Sequence, residues 1–216
     1  MSDTDSIIIL ELLASKICHD LISPVGAIAN GVEILEELGG SSDNDDVIAL
    51  ISSSAAQANA KLKMMRMAYG IGGSDSSIKA EEVHKIFGEF LEGENRLSQN
   101  WNPYADLGIE PKDGFAKMLI SCLLLLIDAL PRGGVLSVES DAKGVMLLTA
   151  EGENARFRDG YIPALKHTIT TTKLDPKLIH AYITGLLAQK YGFEITIEES
   201  VNNFIFLRIK STTVSS

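Results

Sequence analysis

A chain of 216 residues with 45% hydrophobic side chains is long enough for one or two domains and apolar enough to bury a core. Its 29 acidic against 19 basic side chains leave a net charge of -10, which opposes the phosphate field of nucleic acid and the headgroups of an anionic membrane, so neither is an expected partner. The N-terminal segment has no basic start, and Glu11 interrupts its short apolar run; this implies neither a secretory leader nor a membrane span, and a cytoplasmic location.

In chain order, apolar residues recur at Leu10, Leu13, Ile17, Leu21, Ile28, Val32, Leu35 and Leu38, and the spacing of threes and fours predicts one long helix from Ser6 to about Leu38, interrupted only by Pro24. Gly39 and Gly40 stop it, and the run Ser41, Ser42, Asp43, Asn44 offers caps for a second helix. That helix carries Val47, Ile48, Ile51, Ala55, Ala58, Leu62, Met65 and Tyr69 on its stripe. Two helices cannot cover two stripes, so pairing of two hairpins into a four-helix bundle, a homodimer, is expected. Cys18 and Cys122 fall in apolar helical contexts and are expected to pack as small hydrophobes; no disulfide framework or metal-ligand cluster is suggested.

Small and glycine residues from Gly70 to Ser77 predict a boundary, dividing the chain into a helical hairpin (1–72) and a second domain (73–216). The second part predicts a helix over Ala80–Leu91, a short strand over Arg96–Trp101, and an apolar helix over Lys112–Leu130 closed by Pro131 and Gly133-Gly134. Strands follow at Val135–Glu139 and Val145–Ala150, then a helix over Pro176–Tyr191 and a hairpin of Phe193–Glu198 with Phe204–Lys210. The class is α+β, a helical hairpin followed by a sandwich with helices on one face of a sheet.

At about 100° per residue, His19 falls opposite the apolar stripe and should face water. Ser15, Lys16, Ser23, Gly26 and Asn30 share that outward strip, and with Ala27 they form a patch of mostly small side chains on which a partner could approach closely. Imidazole is largely neutral at cytoplasmic pH and needs no strong base to attack phosphorus. Asp20 is placed to orient the ring. Alone, an exposed helix histidine is ordinary surface. Here it opens the string His19-Asp20-Leu21-Ile22-Ser23-Pro24, which resembles the H-box of sensor histidine kinases; an internal proline bends a bundle helix and is hard to explain unless it serves the site.

The wider segment LLASKICHDLISPVGAIANGVEI, from Leu12 to Ile34, together with KLKMMRMAYGIGG at the end of the second helix, resembles the ChpT-type histidine phosphotransferases of alphaproteobacteria. That resemblance implies a dimerising hairpin followed by a domain with the fold of a kinase ATP module. It further implies His19 as phosphoryl acceptor, with Asp20 and Pro24 completing the motif, and as partners the receiver domains of a hybrid histidine kinase and of response regulators.

A kinase ATP module has two asparagines, four apart, before a Pro-x-Gly-Gly. Pro131-Arg132-Gly133-Gly134 sets the register, and the two places hold Ser121 and Leu125. Leucine cannot ligate a hard cation. The Asp-x-Gly-x-Gly stretch is replaced by Ala150-Glu151-Gly152-Glu153-Asn154, and the glycine-rich lid by Leu174-Asp175-Pro176-Lys177-Leu178, so backbone amides cannot crowd around a triphosphate. The expectation is a protein with no cofactor of its own and no ATP binding, whose receiver partner brings the Mg²⁺.

Lys16 and Ser23, one turn either side of His19, are candidate contacts to the docked receiver, as is Arg66, for which an interhelical ion pair is the alternative. Gly31 suits close helix packing. His84, His167 and His180 lie outside any motif, and Asp128 carries no assigned chemistry. Two rival functions remain from the residues alone: an ATP-dependent histidine kinase with an atypical nucleotide site, and a dimeric regulator that binds kinase or receiver surfaces without being phosphorylated.

Overall fold

The computed structural model describes residues 2–38, 44–141, 144–199 and 203–212, so the helix-stopping and capping residues at 39–43 lie outside the described residues. The predicted hairpin is present as α1 (Asp3–Leu38) and α2 (Asn44–Tyr69). At about 1.5 Å per residue the 36-residue α1 is about 54 Å long, well beyond one wall of a small domain. Pro24 lies inside it without breaking it.

The two ends of the hairpin have different surroundings. The C-terminal half of α2 buries Ala58, Ala60, Met64, Met65, Met67 and Ala68, and several of these join the same core as the sandwich. Ile9, Leu12 and Leu13 of α1 pack against that core. Toward the tip, Val25, Val32, Ile34, Ile48 and Leu50 are exposed. Leu10 and Val32, read as members of the covered stripe, are 65% and 43% exposed: α1 is apolar on a wider arc than one partner helix can cover. Gly31 is buried against Ile51, where a Cβ would stand 2.6 Å from Cγ1, so the absent side chain allows α1 and α2 to approach.

The second part comprises α3 (Ala80–Leu91), β1 (Leu97–Gln99), α4 (Phe115–Asp128), β2 (Gly134–Ser140), β3 (Met146–Glu151), α5 (Tyr161–Leu165), α6 (Ile179–Tyr191), β4 (Phe193–Glu199) and β5 (Phe204–Ser211). The sheet order is β1-β2-β3-β5-β4; β1 and β2 are parallel through the α4 crossover, and all other pairs are antiparallel. Alternation sends Leu136, Val138, Met146, Leu148, Ala150, Ile205, Leu207 and Ile209 to the helix-covered face. The centre of that core is α4, with Met118, Leu119, Ile120, Leu123, Leu125 and Leu126 fully buried, each worth about 1.5–3 kcal/mol of transfer free energy. Gly133 ends its connection at φ +86°, and a Cβ there would meet the Arg96 carbonyl at 2.2 Å.

Short elements escaped the sequence reading. Ile71–Ser74 and Thr171–Lys173 are 3₁₀ turns, α5 is one turn long, and Pro176–Leu178 is a 3₁₀ turn that leads into α6. Cys18 is exposed, in contrast to the packing expected of it, whereas Cys122 is buried and burial pushes its thiol well above the ordinary range. Among the described residues, no helix is long and apolar enough to cross a membrane.

The segment after α2 is tied to the sandwich by Lys117, 2% exposed in the middle of the core. Its Nζ donates to the carbonyls of Met67, Ala68 and Gly70 at 3.2, 3.1 and 2.6 Å, the last turn and exit of α2. These are orphan C-terminal carbonyls of a helix, met by a cation. Lys117→Met would leave them without that donor, and the expected loss is about 2 kcal/mol or more in urea-induced unfolding.

Candidate active site

His19 stands near the middle of α1, and its side chain is 88% exposed, as its position opposite the apolar stripe requires. Ser15, Ser23 and Asn30 are exposed beside it, and Gly26 and Ala27 are half-buried; nothing lies within 4 Å of a Cβ built on Gly26. Lys16 departs from the expected strip. It is turned sideways, its side chain 30% exposed, with Nζ 2.9 Å from Asp20 Oδ2. The other carboxylate oxygen, Oδ1, lies 3.3 Å from His19 Nδ1. One carboxylate thus joins the lysine before it to the histidine beside it. With Asp20 as acceptor, Nδ1 carries the proton and the lone pair remains on Nε2, the nitrogen farther from the helix.

Behind Asp20 the hairpin meets the sandwich at a cavity of about 170 Å³, lined by Lys16, Asp20, Lys61, Tyr69, Asp128 and His180 with apolar walls from Met64, Met65 and Leu124. From α2, Lys61 Nζ donates to the main-chain carbonyl of Asp20 at 3.3 Å. Lys61 was not among the residues singled out from the sequence. Arg66 lies exposed on α2.

His180, read as outer surface, is 2% exposed. Its Nδ1 accepts from the Tyr69 hydroxyl at 2.8 Å and its Nε2 donates to the Ser121 carbonyl at 3.0 Å, a complete set of bonds for a neutral imidazole. Burial pushes this ring below its ordinary 6.5, against a smaller opposing pull from Asp128, and burial likewise pushes the Tyr69 phenol up. The Tyr161 hydroxyl donates to Asp128 Oδ2 at 2.7 Å, with its ring stacked on Phe157 at 4.7 Å.

The positions that the resemblance sets against a kinase nucleotide site are core positions. Ser121, Leu125 and Ala150 have no exposed surface, and His180 sits against Ser121. Asp175 accepts from the Lys177 amide at 2.7 Å and caps the short turn before α6. Among the described residues no three His, Cys, Asp or Glu converge as a metal site.

A long helical hairpin presents an outward imidazole with the next residue's carboxylate on its inner nitrogen, and it is joined to an α+β sandwich. The chain belongs to the histidine phosphotransferase family, whose C-terminal domain matches residues 80–203. It is 35% identical over 199 residues to the protein phosphotransferase ChpT of Brucella abortus (strain 2308), covering 90% of this chain and 92% of that protein. A solved bacterial phosphotransferase is 29% identical and superposes with a TM-score of 0.76 over 97% of this chain and 98% of its own. Family membership makes the protein a histidine phosphotransferase of a phosphorelay.

The buried His180 gives the acid side of the stability curve a sign. Its folded pKa lies below the unfolded 6.5, so on acidification the unfolded chain takes up a proton that the folded ring refuses, and stability falls as pH drops through that window. The urea midpoint is expected to decrease between about pH 7 and about pH 5.5, and His180→Gln should flatten that slope.

Proposed function

We propose that the protein accepts a phosphoryl group on Nε2 of His19 from the aspartyl-phosphate of one receiver domain and delivers it to the aspartate of another. The observation that carries this is the solvent-facing imidazole whose inner nitrogen is held by Asp20. In the forward step the Nε2 lone pair forms the N–P bond as the acyl-phosphate P–O bond breaks, and the electron pair leaves with the receiver carboxylate. The ring keeps its Nδ1 proton, and Asp20 faces the positive charge that develops on the phosphorylated imidazole. Mg²⁺ held by the receiver would neutralise charge on the phosphoryl oxygens. Lys16 holds the Asp20 carboxylate through its ammonium and so steadies the group that orients the ring, and Ser23, Gly26, Ala27 and Asn30 form the low surface on which the receiver docks.

In this reading residues 1–72 carry the chemistry and the dimer contact, and residues 73–216 keep the kinase fold without binding ATP. Support for the last point comes from Ser121 and Leu125, both fully buried, and from the His180 ring bonded against Ser121. Support for a homodimer comes from the exposed apolar residues Ile7, Leu10, Val25 and Val32 on α1 and Ile48 and Leu50 on α2, which a second hairpin would cover. A cytoplasmic location follows from the proposed partners.

Incubation with a radiolabelled phospho-receiver is expected to label the wild type and leave His19→Ala unlabelled, while labelled ATP alone labels neither. Equal labelling of both proteins by the receiver would end the carrier reading in favour of a docking regulator; labelling by ATP would restore the kinase reading. Light scattering is expected to give twice the chain mass for the wild type and the chain mass for Val32→Glu combined with Ile48→Glu.

A further inference from the structure

We infer that Lys61 is a positioning residue for His19: its ammonium replaces the backbone donor that Pro24 removes from α1, and so fixes the helical turn from which the imidazole projects. The inference rests on the reading of His19 as the phosphoryl acceptor.

In an α-helix the carbonyl of one residue accepts from the amide four residues on. For Asp20 that residue is Pro24, which has no N–H and whose ring crowds the same carbonyl. A helix that continues through an internal proline therefore contains one main-chain acceptor with its regular donor missing, at the residue directly after His19. The carbonyl borders the half-buried cavity, where an unmet acceptor is costly. Lys61 Nζ, from the opposite helix and 41 residues later in the chain, stands 3.3 Å from that oxygen.

The contact is selective. Carboxylates of Asp20, Asp128 and Glu94 also line the cavity, yet Lys61 meets the carbonyl, while the Asp20 carboxylate is occupied by Lys16 at 2.9 Å and by His19 Nδ1 at 3.3 Å. Asp20 is thereby held at each of its three oxygens. Fixing its peptide plane fixes the backbone beside His19, and the imidazole cannot drift along the helix face when a receiver arrives. Met64 and Met65 line the same cavity as Lys61, so the charged head reaches a polar spot beside apolar walls. The arrangement also couples α1 to α2 at the level of the acceptor, which a regular helical bond would not do.

A double-mutant cycle tests this on the full-length protein. Lys61→Met keeps the stem and removes the donor; Pro24→Ala returns the amide that makes the donor unnecessary. With a phosphorylated receiver in single-turnover mode, Lys61→Met is expected to slow transfer within the complex by about tenfold. Receiver affinity by calorimetry should stay unchanged, and Lys61→Arg should restore the rate. In the Pro24→Ala background the same lysine substitution is expected to cost less than about twofold. Amide exchange across residues 18–23, read by mass spectrometry, should rise on Lys61→Met with Pro24 present and stay level with Ala at that position. Circular dichroism melting confirms that each variant is folded. An equal rate penalty in both backgrounds, or equal exchange in both, would overturn the role assigned to Lys61. A wild type that takes no phosphate from any receiver would overturn the carrier reading itself, and the link from Lys61 to transfer with it.

Discussion

The structure depends on the burial of one end of α2 in the core of the sandwich. Met64, Met67 and Ala68 lie in the same apolar cluster as Phe87, Leu119 and Leu123, and Lys117 draws the last carbonyls of α2 onto α4. A hairpin on a loose tether could offer a histidine but could not hold Lys61, Tyr69 and Asp20 around a shared cavity with His180 and Asp128. Because the two parts share a core, the geometry around His19 is set by both, even though His19 belongs to only one.

Much of the fold could be read from periodicity. The two hairpin helices, α3, α4, α6 and the strands β2 to β5 carry patterns long enough for helical or alternating spacing to be unambiguous. Short turns carry no such signal, which is why Ile71–Ser74, Tyr161–Leu165 and Thr171–Lys173 were missed. The stretch after Tyr69 reads from composition as a linker, because local composition reports chain flexibility and says nothing of an ammonium that arrives from 47 residues downstream.

The exposure of His19 was legible because helix angle decides which side chains face water, and that angle depends only on position in the chain. Lys16 was placed on the right helix but not on the right side of it, since a flexible stem follows the nearest carboxylate. His180 was misread because the burial of a histidine depends on whether Tyr69 and Ser121 can satisfy both ring nitrogens, a matter of tertiary contact. Lys61 did have a signal: a proline within a helix announces a carbonyl four residues earlier that must find a donor, though not which side chain answers.

The start of α1 is fastened separately. The Thr171 hydroxyl donates to Asp5 Oδ1, and this bond, with those from Ser2, holds the Asp5 carboxyl down to about 2, below its ordinary 3.8. A carboxyl depressed in the folded state contributes its tie above the ordinary value and releases it only as pH falls toward the lower one. The hairpin is therefore pinned to the sandwich at two levels, below His19 at Asp5 and behind it at the end of α2. Two separate ties on one stalk resist its rotation against the body more than either tie alone.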